Sequence, residues 1–196
     1  MNHSRRSQEE RSASTRLLLL DATVTCLVER GYSGTTLAAV AEQAGVSRGA
    51  QLHHYGTRDR LVTAAVEHLA QRRLDEVRAK VVGLADDVDR PRQALDLLAG
   101  ALSGPLYAAT LELWVAARSD TMLREALLPV EQRVTAALTG LCRRYIVDDA
   151  LLAQLTLDVV LGRGVGGLLV PFSPTRQRKA LDAWASLLAD RLAAHR

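Results

Sequence analysis

The sequence predicts an all-α protein of about nine helices. Three observations carry that reading. Apolar residues recur at spacings of three and four through most of the chain, which is the period of an amphipathic helix. No stretch alternates apolar and polar residues in the manner of a half-buried strand. Aromatic residues make up only 4% of the composition, too few for a sheet-rich sandwich or barrel. At 196 residues and 48% hydrophobic content, the chain is long enough to bury a core as one large domain or two small ones.

Residues 1–13 are polar and read as a flexible arm, with Arg5 and Arg6 as candidate nonspecific phosphate contacts. From Ser14, helical spacing places Leu17, Leu20, Val24, Leu27 and Val28 on one helix, and Gly31 is suited to end it. Tyr32-Ser33-Gly34 forms a turn into a short helix, Leu37 to Ala44. Gly45 breaks that helix, and Ser47 opens a third segment as a candidate cap. After Gly56-Thr57, the positions Leu61, Ala65, Leu69 and Leu74 mark a long helix to about Val82. At 1.5 Å per residue it spans roughly 39 Å, long enough to join two regions rigidly.

Ala85 to Asp89 reads as an acidic loop, and Pro91 fits the first turn of a new helix. Further helices are expected near 91–103, 105–118, 121–145, 149–170 and 175–194, separated in places by Gly104-Pro105 and by Pro171-Phe172-Ser173-Pro174. Pro129 either kinks its helix or splits off the first turn.

Charge and cysteine content bound the function. The chain carries 25 basic and 22 acidic side chains, a net charge of +3, too small by itself to announce nucleic-acid binding. Residues 1–60 hold eight arginines against six carboxylates, so this region is no basic tail. Lys80 and Lys179 are the only lysines. High-GC codon usage accounts for that bias as readily as phosphate chemistry does. Cys26 and Cys142 define neither a disulfide scaffold nor a zinc site, which makes a reducing cytoplasm the default. The run Leu17 to Leu20 is too short for a signal peptide, and Asp158 and Arg163 interrupt the most apolar later stretch. A soluble intracellular protein without a membrane partner is expected. His53 and His54 are adjacent rather than four apart, and no phosphate loop or nucleophile elbow appears. No enzymatic activity, metal or cofactor is expected.

The informative stretch runs from Thr35 to Tyr55, TTLAAVAEQAGVSRGAQLHHY. It reads as two short helices around a tight turn at Gly45, where a positive φ is needed. Val40, Ala44 and Val46 supply a buried seam, and Thr36 and Ser47 are caps whose helix starts favour a phosphate. This is a helix-turn-helix, whose second helix lies in the DNA major groove.

The ordered set Gly31-Tyr32, Thr35-Thr36, Ala44-Gly45-Val46-Ser47-Arg48-Gly49, His53-His54-Tyr55, Arg58 and Leu61 resembles the amino-terminal domain of the tetracycline-repressor (TetR) family. The resemblance runs from about Leu17 to Leu69. It implies three parts: the arm, a helix-turn-helix DNA-binding domain over 14–60, and a helical effector-binding and dimerisation domain over 61–196. The chain departs from the family at Gln51, where leucine is usual, at Leu52, where tyrosine is usual, and at Ala38-Ala39, where a basic or polar side chain often reaches DNA.

The candidate DNA-binding residues are Thr36, Ser47, Arg48, Ala50, Gln51, Leu52, His53, Tyr55 and Arg58. Arg48 pairs with guanine or contacts a phosphate, and Ala50 and Leu52 suit thymine methyl groups. Leu52 otherwise repacks against Gln51. His53 faces the groove or solvent, and His54 packs at the domain edge. Tyr55 is core, with its hydroxyl free to reach a phosphate. Thr36, Ser47 and Arg58 match positions that contact the backbone and fix register.

The resemblance further implies a homodimer through the last two long helices, for which Leu151, Leu155, Val159, Gly162, Gly166, Leu181, Trp184 and Leu188 are the candidates. Gly162, Gly164, Gly166 and Gly167 mark either a close helix crossing or a break. Leu98, Leu102, Tyr107, Leu111, Trp114, Arg118 and Met122 are the candidate ligand-binding residues, with Glu112 as a second polar group. A mainly apolar set fits a hydrophobic small molecule. The expected function is a ligand-responsive transcriptional regulator, a repressor that a small hydrophobic effector releases from a palindromic operator. The alternative is an all-α interaction or ligand-binding protein that keeps the fold without sequence-specific DNA binding.

Overall fold

The computed structural model describes residues 2–84, 89–168, 170 and 172–193, with side chains from residue 8 onward. Arg5 and Arg6 therefore lie outside the described side chains, as do most of the loop read at 85–89 and Pro171 in the turn read at 171–174. The described residues hold nine helices and no strand, as the spacing predicts. They are α1 (Asn2–Gly34), α2 (Leu37–Ala44), α3 (Arg48–Tyr55), α4 (Arg58–Val82) and α5 (Arg90–Ala101), followed by α6 (Pro105–Ala117), α7 (Thr121–Tyr145), α8 (Ala150–Gly166) and α9 (Pro174–Ala193). No single helix among them is long and apolar enough to cross a membrane.

Two differences from the sequence reading concern helix limits. Helix α1 begins at Asn2 rather than Ser14. Its first turns carry polar, largely exposed side chains from residue 8 on, so no apolar period marks them. Gly31 sits inside α1 with φ 67 and ψ −178, a non-helical bend where the sequence places the helix end. Pro129 lies within α7, which continues across it, although proline removes one N–H from the helical ladder.

The chain divides into two units, Met1–Ala70 with Ala109–Val130, and Gln71–Ala108 with Glu131–Arg196. The expected boundary at 60/61 assigns 109–130 to the second domain, while the compact grouping places them with the first unit. Its cause is packing. Leu27 of α1, Val62 and Val66 of α4, Leu113 and Ala117 of α6, and Leu123 and Leu127 of α7 form one buried cluster. The α6 stripe Ala109, Leu113, Ala117 has the spacing of any buried helix face, and spacing alone does not tell which core receives it. A second cluster in the same unit joins Leu19, Ala22 and Cys26 to Val40 and Leu61.

In the second unit, Leu74, Leu95, Leu98, Leu138, Leu157, Val160, Leu181 and Leu188 belong to one core. Burying each leucine contributes about 1.5–3 kcal/mol. Cys142 lies in this core with its thiol pushed up to about 12 by burial. Both cysteines are buried and free.

The glycine cluster of α8 serves both readings left open by the sequence. The helix ends at Gly166, with Gly167 as its cap. The close crossing is at Gly164, where a Cβ would lie 2.5 Å from the Leu102 carbonyl oxygen and 2.5 Å from Tyr107 Cε1. Gly162 has nothing within 4 Å of that position, whereas at Gly166 the Phe172 ring comes within 3.2 Å of it. Gly164→Ala is expected to lower stability by about 1–3 kcal/mol through overpacking. Gly140→Ala, in the open on α7, is expected to raise it by up to about 1 kcal/mol. Urea unfolding midpoints check both.

Candidate nucleic-acid interface and ligand cavity

Helices α2 and α3 have eight residues each, too few to be stable alone in water. Caps and burial hold them. Thr36 Oγ1 accepts the Ala39 N–H at 3.1 Å, and Ser47 Oγ accepts the Ala50 N–H at 3.2 Å. A hydroxyl cap of this kind contributes about 1 kcal/mol. Between the helices Gly45 adopts φ 64, ψ 29, the left-handed conformation the turn requires. Val46 then donates to the Ala41 carbonyl at 3.1 Å, closing the turn.

This geometry fixes which side of α3 is outside. Arg48, Gly49, Leu52 and His53 are exposed, and Leu52 retains 46% of its surface. These positions follow one helical face. Ala50, His54 and Tyr55 are half-buried, and Gln51 is fully buried. The His54 imidazole sits below its ordinary pKa, chiefly through burial and then through the charges of His53 and Arg16. Tyr55 packs against the α1–α2–α4 cluster, and burial raises its phenol pKa.

Two expected DNA contacts are turned inward or engaged within the chain. Gln51 is 0% exposed, with neither its oxygen nor its nitrogen hydrogen-bonded among the described residues. It occupies the inward position one turn before Tyr55, so it has no route to a duplex. Arg58 is engaged within the chain. Its Nε donates to the Thr35 carbonyl at 2.6 Å, its Nη2 donates to the Tyr32 carbonyl, and its guanidinium lies 4.0 Å from the centre of the Tyr32 ring. From α6, Glu112 Oε2 accepts the Tyr32 N–H at 3.0 Å. The strand of chain that enters α2 is thus gripped from two helices. The Glu112 contact, between residues 80 apart, left no local signal in the sequence.

The candidate ligand residues are divided between the two units. Leu98 and Tyr107 are buried in the second unit, where the Tyr107 hydroxyl donates to the Leu161 carbonyl at 3.1 Å. Leu111 and Trp114 are half-buried in the first unit, Arg118 is exposed, and Met122 is 71% exposed. Arg118 follows the last residue of α6, and Met122 projects from the first turn of α7. The second unit instead holds a partly open cavity of about 480 Å³ that Leu102 lines with Pro105, Val160, Arg163, Phe172 and Gln177 among others. Arg163 read in the sequence only as an interruption of an apolar run.

Of the candidate interface residues, Leu181 and Leu188 are 1% and 5% exposed in the chain's own core, so they form no surface. Trp184 is half-buried and donates to Thr156 Oγ1 at 3.1 Å. Leu155, Gly162 and Gly166 are exposed on α8 and Val159 is half-exposed, at the i, i+4, i+7, i+11 spacing of one face. Leu151 and Leu187 are 68% and 60% exposed. Leu187 was not singled out in the sequence because it sits beside the buried stripe of α9.

Residues 19–65 match the family model described as bacterial regulatory proteins, tetR family. Over 165 residues the chain is 34% identical to the HTH-type transcriptional regulator CymR of Pseudomonas putida, covering 84% of this chain and 74% of that protein. The chain belongs to the TetR family. Among solved structures it is similar to a transcriptional regulator from Pseudomonas aeruginosa PAO1, with 26% identity, a TM-score of 0.69 and coverage of 92% and 91% of the two chains. It is also similar to the multidrug binding protein EbrR complexed with imidazole, with 25% identity, a TM-score of 0.66 and coverage of 86% and 93%. Against this TetR-family frame, the buried amide of Gln51 stands at the position where leucine is usual.

Gln51→Leu is expected to raise stability by about 1–3 kcal/mol, because it removes an unpaired buried amide. A lower urea midpoint would contradict this placement. Arg58→Ala is expected to lower stability by roughly 2–3 kcal/mol. Arg58→Lys is expected not to restore it, since lysine lacks the planar fork that both carbonyls and the ring engage.

Proposed function

We propose that this TetR-family chain is a dimeric, ligand-responsive repressor that acts in the cytoplasm and leaves a palindromic operator when a small, largely apolar effector binds. The observation that carries the DNA-binding part is the outer face of α3. An exposed arginine and a 46%-exposed leucine share it with His53 and Gly49. Arg48 reads guanine O6 and N7, Leu52 meets a thymine methyl group, and His53 donates to a base edge or phosphate. Ala50, half-buried, borders this face. The hydroxyls of Thr36 and Ser47 accept their cap bonds and keep a proton for phosphate oxygens. The amino ends of α2 and α3 favour the same anions. Gln51 and Arg58 are left out of the contact set.

One helix-turn-helix reads a few base pairs, and a two-fold dimer reads two half-sites about 34 Å apart. The exposed α8 face of Leu151, Leu155, Val159, Gly162 and Gly166, with Leu187 of α9, supplies the dimer surface in this reading. An effector in the second unit's cavity acts only if it binds the DNA-competent and released arrangements with different affinity. Helices α4 and α7 each contribute residues to both units, which makes them the elements that pass the difference on.

Fluorescence anisotropy on the DNA upstream of the protein's own gene, at several salt concentrations, tests this function. Specific, salt-dependent binding is expected. Arg48→Ala is expected to cost about 1–3 kcal/mol on cognate DNA and to relax preference at one position per half-site. An equal loss on cognate and random DNA would reassign Arg48 to the backbone. No preference over random DNA in the parent protein would end the regulator reading.

A further inference from the structure

An apolar pocket needs no cation, yet the cavity of the second unit has a half-buried one in its wall. Arg163 is the single charged residue among the described residues that line it. Its Nη2 is shut off from solvent and has no hydrogen-bond acceptor in the chain among the described residues. The guanidinium lies over the Phe172 ring, 4.8 Å from its centre. Stacking engages the face of a guanidinium and leaves the N–H edge, the part that forks onto a carboxylate. Arg176, exposed, stands 5.0 Å from the same ring and adds a second positive charge nearby.

The remaining polar lining groups do not neutralise this charge. No carboxylate is among the described lining residues. Ser103 donates its hydroxyl to the Gly100 carbonyl at 3.0 Å, which leaves Gln177 as the other side-chain donor. Leu102, Pro105, Val160 and Leu168 make the rest of the wall apolar. The backbone that carries Arg163 is fixed on both sides. Tyr107 holds the Leu161 carbonyl, and Gly164 presses against Leu102 and Tyr107 with no room for a Cβ.

We propose that this cavity binds an organic monoanion, an apolar body bearing one carboxylate, with the carboxylate on Arg163 and Gln177 and the body against Leu102, Val160 and Leu168. A volume of about 480 Å³ lies within the range of small-molecule sites. One cation in the wall matches one negative charge. The proposal names the chemical class of the effector, and for its regulatory consequence it rests on the repressor reading above.

Isothermal titration of the full chain with matched probes tests it. 2-Naphthoate, 2-naphthalenemethanol and 2-naphthylmethylammonium share a body and differ in charge, and octanoate with octanol repeats the comparison on a slimmer frame. At least one carboxylate is expected to bind roughly ten- to hundredfold tighter than its alcohol, as a charge-assisted hydrogen bond allows, with the ammonium weakest. Arg163→Gln is expected to erase that preference, bringing the carboxylate's affinity down to about that of its alcohol. Ala108→Phe, which fills the cavity without touching its charge, is expected to weaken both. If neither carboxylate outbinds its alcohol in the parent protein, the proposal is overturned, and that comparison requires no variant to fold. A preference that survives Arg163→Gln overturns it equally. Operator release is read separately. Arg163-dependent carboxylate binding without any change in DNA affinity supports the ligand class and removes the effector role. Specific DNA binding without carboxylate preference overturns the ligand class and leaves the repressor reading standing.

Discussion

The segment Tyr32–Thr35 is the point on which the reading head depends. It takes in the last turn of α1 beyond the bend at Gly31, and it must deliver the chain into α2 at one angle. Arg58 fixes it by donating to the Tyr32 and Thr35 carbonyls while lying on the Tyr32 ring. Glu112 fixes it from the other side through the Tyr32 N–H. These charged hydrogen bonds are each stronger than a neutral one. They make up for what two eight-residue helices lack in length. With α2 set, the left-handed Gly45 and the Ser47 cap leave α3 a single register, in which Gln51 points in and Arg48 points out.

The second unit obeys a different constraint. Its core is a contiguous apolar cluster drawn from α4, α5, α7, α8 and α9. The corner between α5 and α6 meets α8 at a glycine because only there can backbone and ring come so close. The same contact that spares a Cβ at Gly164 holds its neighbour Arg163 at the wall of a cavity. A packing requirement and a binding group thus share two adjacent residues.

Features written in adjacent residues were legible in the sequence. Helix limits from α2 to α9 fall within a few residues of the spacing, because Gly45, Ser47, Gly104-Pro105 and Asp149 act locally. The tight turn and both caps lie where Thr36, Gly45 and Ser47 predicted them. Features set by packing between distant segments were not legible. The stripe Leu181, Trp184, Leu188 has the same period whether it covers its own core or a partner's, and here it covers its own. Gln51 was counted among the DNA contacts although leucine is usual there, because its burial depends on α3's register rather than on its chemistry. Arg58 resembled a phosphate contact because nothing nearby reveals that the Tyr32 and Thr35 carbonyls already hold it. The polar turns at the start of α1 gave no apolar period to count.

The central claim is that the face of α3 bearing Arg48, Leu52 and His53 enters the major groove, once in each half of a two-fold assembly. Hydroxyl-radical footprinting of the DNA upstream of the protein's own gene tests this most directly. The account predicts two protected patches centred about 34 Å apart on one side of the duplex, both lost together when Leu52 is replaced by Asp. Uniform protection, or patches indifferent to that replacement, would contradict it.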